Sequence, residues 1–148
     1  MKLNLGSSDE ILEGFLNVDV CPPADFIADL TQTWPWEDNS VEHIRAWDII
    51  EHLRDSIHTM NEMWRVLRPG GTVEIVVPTT DGRGAWQDPQ HVSFWNRNSF
   101  FYYTDGSKHR ERFGDSYGIR ARFSVEREKH RKHSNKVIKL TILLKAVK

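Results

Sequence analysis

A single cysteine, Cys21, leaves the chain without a partner for an internal disulfide, and such usage fits a reducing, cytoplasmic setting. Long hydrophobic runs are missing too. No stretch approaches the roughly 20 consecutive apolar residues that cross a bilayer, so no membrane partner is expected. The first residues lack the basic-then-apolar pattern of a secretion signal, and there is no internal repeat or low-complexity tract. Glycine is scarce where nucleotide sites usually have it. The first apolar stretch, "KLNLGSS", runs into one glycine and two serines, which by itself does not separate a cofactor turn from a plain bend.

What is there is ordinary globular material. A chain of 148 residues suffices for one domain, residues 1–148, with one sizeable core. Mixed charge and many aromatics exclude wholesale disorder. The net charge of −1 hides an asymmetry: Lys108–Lys148 holds 13 Lys and Arg against 4 Asp and Glu, about +9, and the rest is about −10. Such a split suits contact between copies in a homo-oligomer, a basic face for an anionic partner, or a solvated basic hairpin. Nucleic acid is one such partner, with Phe113, Tyr117 and Phe123 interleaved among the basic residues, but it is not the favoured one.

The pattern alternates strands with helical stretches. Leu3–Leu5, Phe15–Val20 and Asp25–Leu30 read as short strands, with a turn or two of helix over Asp9–Glu13. Val41–Trp47 reads as a fourth strand. Ile57, Met60, Trp64 and Leu67 recur at helical spacing behind Ser56 as N-cap. Pro69-Gly70-Gly71 ends that helix, and "TVEIVVP" follows as a nearly continuous apolar strand, as expected when both faces are covered. Residues 79–118 read as a long irregular loop or lid with one short helix near Asn98–Tyr103. Residues 119–148 read as a terminal strand pair, Ile119–Glu128 and Val137–Val147, around the basic turn "KHRKHSN". The class is therefore α/β, with an antiparallel edge.

In open sheets of this class, ligands sit beyond the carboxyl ends of the strands. Those positions hold Gly6-Ser7-Ser8, Asp19, Asp29, Trp47-Asp48 and Pro78 onward. Gly6 permits close backbone approach, and Asp19 suits the paired hydroxyls of a ribose. Asp29 and the Leu30 backbone suit a purine edge. Each has a competing reading: Asp19 as a turn cap before Pro22, Asp29 as one before Thr31, and the tryptophans as core.

In order along the chain, "KLNLGSS", "LNVDV", "ADL", "WPWEDNSVEHI", "IIEHL", "EMWRVLRPGGTVEIVVP" and "DPQHVSF" resemble the class I S-adenosylmethionine-dependent methyltransferases. The likeness is to the small, type 11-like group with a short connection from strand one to strand two, and it covers about residues 3–96. It implies a Rossmann-like, mostly parallel seven-stranded sheet in the order 3-2-1-4-5-7-6, with an antiparallel last strand and flanking helices. It implies S-adenosylmethionine as cofactor and S-adenosylhomocysteine as product, with no metal expected. Leu5 and Gly6 match the turn under the methionine part, with Ser7 and Ser8 in place of further glycines. Asp19 matches the ribose-binding acid, Asp29 and Leu30 the adenine-contacting pair, and Trp47 and Asp48 the positions after strand four. His52 and His91 match the acceptor side.

Methyl transfer asks a protein mainly for alignment and exclusion of water. Where the acceptor must lose a proton, a histidine suits the role of base. His91 is the first candidate, oriented by Asp88, and His52 the second, unless His91 is a loop residue bonded to backbone. His130 and His133 form only a weak metal pattern, and Cys21 lacks a local partner as a nucleophile. Because the chain begins directly on strand one, cover for the site falls to residues 79–118 or to another subunit. The expectation is methyl transfer to an acceptor the sequence does not name. The alternative is a catalytically silent binding or assembly subunit of the same fold.

Overall fold

The computed structural model describes residues 1–133 and 135–148; Ser134, within the expected basic turn, lies outside them. Seven strands form one sheet: β1 (Lys2–Leu5), β2 (Leu16–Asp19), β3 (Phe26–Ile27), β4 (Val41–Trp47), β5 (Leu67–Pro78), β6 (Phe123–Lys132) and β7 (Ile138–Ala146). Their order is β3-β2-β1-β4-β5-β7-β6. β1 to β5 run parallel to one another, and β7 is antiparallel to both β5 and β6. This is the Rossmann-like order that the resemblance implied.

Among the described residues three α-helices accompany the sheet: α1 (Ser56–Val66), α2 (Gly84–Gln87) and α3 (Lys108–Tyr117), with 3-10 turns at Ile50–His52 and Arg97–Tyr103. Met60 and Met63 of α1 are fully buried with Leu3, Leu5, Ile44, Ala46, Val73, Ile75 and Val77 of the sheet. The other face is covered at Asn4 and Asn17 of β1 and β2 but open over β5. Thr72, Glu74 and Val76 are only half-buried, which corrects the expectation of a strand covered on both sides.

Several expected boundaries move, each for a local reason. Asp9–Glu13 forms no helix. The buried Asn17 side chain accepts from the Leu12 N–H at 2.9 Å, and Asn4 donates to the Glu10 carbonyl at 2.8 Å. Side-chain bonds to backbone hold that segment in turns instead. Asp55, not Ser56, caps α1, accepting from the His58 N–H at 2.8 Å. β5 starts directly after α1: Leu67 pairs with Val41, and pairing resumes at Thr72 with His43 past an irregularity. The third strand shrinks to two residues. Within 79–118 the expected short helix forms as the Arg97–Tyr103 turn, and the chain is more helical than expected through α2 and α3. β6 takes in Lys129–Lys132, leaving a shorter turn, and Phe123 is core rather than surface.

One block of sequence works structurally. Glu62, buried on α1, accepts from the Trp34 N–H at 2.8 Å and from Arg65 through both oxygens at 2.8 Å. Arg65 also donates to the carbonyls of Trp34 and Trp36 and to Asp38. The "EMWR" helix thus fastens the "WPWED" loop, with Trp34 and Trp36 packed edge to face at 5.8 Å.

Candidate functional site

The carboxyl ends of β1, β2 and β4 bound a groove of about 230 Å³, walled by Gly6, Asp19, Asp29, Leu30, Ile49, His52 and Leu53. Gly6 turns the chain out of β1 with φ +65°, and a Cβ there would stand 2.8 Å from the Ile49 side chain. Only glycine combines that dihedral with that approach. Part of the closeness that Gly6 permits is therefore taken by Ile49 of the same chain.

Asp19 ends β2 with its carboxylate on the groove. Its Oδ2 accepts from the Ser8 N–H at 2.9 Å and its Oδ1 from the Val20 N–H at 2.7 Å. Asp19 Oδ1 also accepts from the Cys21 Sγ–H at 3.8 Å, so Asp19 ties two turns together and Oδ2 keeps a second lone pair for a ligand hydroxyl. Asp29 accepts from the N–H and the hydroxyl of Thr31 at 2.9 and 2.7 Å. Those bonds hold its carboxyl below the usual range. Leu30 gives its carbonyl to Trp34 Nε1 at 3.1 Å and presents an apolar wall.

The other candidates lie elsewhere. Leu5 is fully buried, and Ser7 is buried with a hydroxyl that has no partner. Trp47 and Asp48 line a different groove of about 640 Å³ on the open sheet face, with Glu74, Arg127, Lys129, Arg131 and Lys139. There Arg45 stacks on Trp47 at 3.9 Å, and Asp48 pairs with Lys139 at 2.6 Å.

His52, Asp88 and His91, separated in sequence, come together. They line a third groove of about 230 Å³ with Asp48, Glu51, Gly84 and Lys139, and His52 belongs to this groove and to the Gly6–Asp19 groove alike. The fastening is made by backbone bonds and by the Ser93 side chain. The Glu51 carbonyl accepts from the N–H groups of Val92 and Ser93 at 2.9 and 3.1 Å, and Ser93 Oγ donates to the Ile50 carbonyl at 2.9 Å. The His52 and His91 rings meet edge to face, centroids 4.9 Å apart.

His91 Nδ1 lies 3.0 Å from the Ala85 carbonyl, which can only accept. Nδ1 therefore carries the proton of the neutral ring, and Nε2 is left with a lone pair. Asp88 stands 3.8 Å from Nε2. The group that orients the ring is thus Ala85, with Asp88 a looser neighbour.

Sequence reasoning missed Glu51. It is 2% exposed, its Oε2 has no hydrogen-bond partner, and it lines the same groove as the two histidines. Burial pushes its carboxyl up to about 7; the Asp48 charge adds to this and Lys139 opposes it. Its only signal in the sequence was its place beside His52 in "IIEHL", directly after a strand.

Known proteins share this architecture. Residues 15–75 match the model of the family described as "Methyltransferase domain". Among solved structures, a methyltransferase from Methanosarcina mazei described as dependent on S-adenosylmethionine is 12% identical with TM-score 0.67, covering 99% of this chain and 92% of its own. A Haloferax volcanii protein in complex with the Trm112 methyltransferase activator is 16% identical with TM-score 0.67, covering 99% and 82%. The 1,6-didemethyltoxoflavin-N1-methyltransferase of Burkholderia thailandensis, solved with 1,6-didemethyltoxoflavin and S-adenosylhomocysteine, is 13% identical with TM-score 0.66, covering 99% and 71%. Comparison with curated proteins gives no match. The chain has the class I S-adenosylmethionine-dependent methyltransferase fold, and its central segment matches the methyltransferase domain family. Nothing in these likenesses supports a silent assembly role. Among the described residues no helix is long and apolar enough to cross a membrane.

Proposed function

We propose that the chain catalyses methyl transfer from S-adenosylmethionine to an acceptor that enters the groove of His52, Asp88 and His91. The observation that carries this reading is the placement of Gly6, Asp19 and Leu30 around one groove whose far wall, His52, is shared with a second groove. When bound, the cofactor supplies an already activated sulfonium methyl group.

The residues present fit such a group. Asp19 Oδ2 offers a free lone pair to a ribose hydroxyl, and on Oδ1 the long Cys21 Sγ contact at 3.8 Å yields to a second one. Leu30, Ile49 and Leu53 offer apolar surface to a purine, and Gly6 admits the chain's closest backbone approach. Ile49 and His52 wall the first groove, and His52 also walls the second. Where the acceptor must lose a proton, His91 Nε2 is the basic atom available to take it, held in place by the Nδ1 bond to Ala85. Holding two reactants in line contributes effective molarities that reach about 10⁵ M or more.

Calorimetric titration with S-adenosylhomocysteine tests the reading. Saturable one-to-one binding supports it; absence of heat at millimolar ligand would sink it.

A further inference from the structure

The geometry points to a binding site for one divalent first-row transition ion at Glu51, His52 and His91, on the boundary between the two grooves. This departs from the sequence expectation that no metal takes part. One donor atom from each residue lies within 4.8 Å of the others. Tetrahedral bonds of about 2.0–2.1 Å place ligand atoms roughly 3.4 Å apart, a closure within reach of side-chain rotation.

Independent observations point to a cation. Glu51 Oε2 is buried on the groove without any hydrogen-bond donor, and a buried carboxylate asks for a positive partner. No protein cation serves: among the described residues no ion pair involves Glu51, and the neighbouring Lys139 is committed to Asp48 at 2.6 Å. His91 shows the arrangement typical of a ligating imidazole, one ring nitrogen donating to a backbone carbonyl and the other free. The backbone bonds from Val92 and Ser93 to the Glu51 carbonyl fix the two contributing segments against each other.

The donor set names the class of ion. Two imidazoles and one carboxylate suit zinc, cobalt, manganese or ferrous iron, whereas magnesium prefers an all-oxygen shell. Three protein ligands leave at least one position open toward the groove, with Asp88 the nearest further oxygen donor. An ion there lowers the pKa of a coordinated hydroxyl, whose proton leaves to solvent. That role rests on the methyltransferase reading; the binding of the ion does not. Loaded, His91 acts as a ligand, and stripped of metal it is the base described above.

The test uses the full chain, stripped with chelator and dialysed, titrated with Co²⁺ without any cofactor. The expected result is one Co²⁺ per chain with visible d–d absorption, displaced by Zn²⁺ but not by equal Mg²⁺. Glu51→Gln and His91→Gln should each weaken binding by more than about 100-fold, beyond the 10- to 100-fold cost of losing an outer partner. His133→Asn, outside the groove of Glu51 and the two histidines, should leave it unchanged. Should Glu51→Gln fail to fold, His52→Gln at the half-exposed position keeps the test open. No binding at millimolar Co²⁺, or binding that ignores all three substitutions, would overturn the site. Displacement by equal Mg²⁺ would overturn the class of ion. Because no cofactor is present, failure of the chain to bind S-adenosylhomocysteine leaves this result standing.

Discussion

The His52 and His91 rings pack edge to face with centroids 4.9 Å apart, one from the 3-10 turn after β4 and the other from the segment following α2. Ser93 makes that meeting possible, donating to the Ile50 carbonyl and accepting from Trp95 Nε1, each at 2.9 Å. Ser93→Ala should cost about 1–2 kcal/mol in denaturant unfolding, since it leaves the buried Trp95 Nε1 without an acceptor while the Ile50 carbonyl keeps the Leu53 N–H. The His91 ring should then lose its fixed position, read as merging of its NMR signals with those of exposed histidines. An unchanged His91 spectrum would show that other contacts hold the loop.

Gly6 is constrained twice, by φ +65° and by Ile49 at 2.8 Å from any added Cβ. Gly6→Ala should destabilise the fold by roughly 1–3 kcal/mol. Combining it with Ile49→Gly, which removes the Cβ, Cγ1 and Cδ1 that all stand 2.8 Å away, should remove the clash but not the backbone strain, giving a favourable coupling of about 0.5–2 kcal/mol. Strict additivity in the double-mutant cycle would contradict the packing described.

Glu51 supplies a pH dependence with a definite sign. Its carboxyl rises from 4.5 to about 7 in the folded chain, so the native state holds the proton more tightly than the unfolded one. The stability this contributes is complete below pH 4.5 and is lost as pH rises through 7. In chelator, Glu51→Gln should therefore gain on the parent as pH rises, by on the order of 2–3 kcal/mol at pH 8. A difference that stays flat from pH 4.5 to 8 would contradict the buried, unpaired carboxylate.

Arg65 tests the structural use of the "RVLRPGG" block. Its planar fork meets both Glu62 oxygens and two carbonyls at once, which a lysine does not reproduce. Arg65→Lys should cost about 2–4 kcal/mol and raise hydrogen exchange in the Trp34–Trp36 loop. Loss of stability without loosening of that loop would assign the cost elsewhere.

The order of the strands was legible because the motifs follow one another as they do in a known fold. Asp19, Leu30 and Gly6 were legible as positions after strands, and they line one groove. Trp47 shares that kind of position but not that groove. Successive side chains of a strand face opposite sides, and past the irregularity after Val41 the side of β4 that carries Arg45 and Trp47 belongs to the open face. α3 was hidden because Phe113 and Tyr117 are its only large apolar residues, too few to make a periodic stripe. Glu51 was hidden because no sequence pattern says that a glutamate beside a histidine will be buried without a partner.

Everything proposed for catalysis depends on which groove takes the cofactor, and a crystal structure with S-adenosylhomocysteine decides that. The ribose hydroxyls should lie on Asp19 and the purine against Leu30 and Ile49, with the sulfur directed toward His52. Asp19→Ala should then weaken binding about 100-fold, the scale of losing two hydrogen bonds to a charged group. Ligand seated instead beside Trp47 and Arg131 on the open face, with Asp19 untouched, would contradict the assignment.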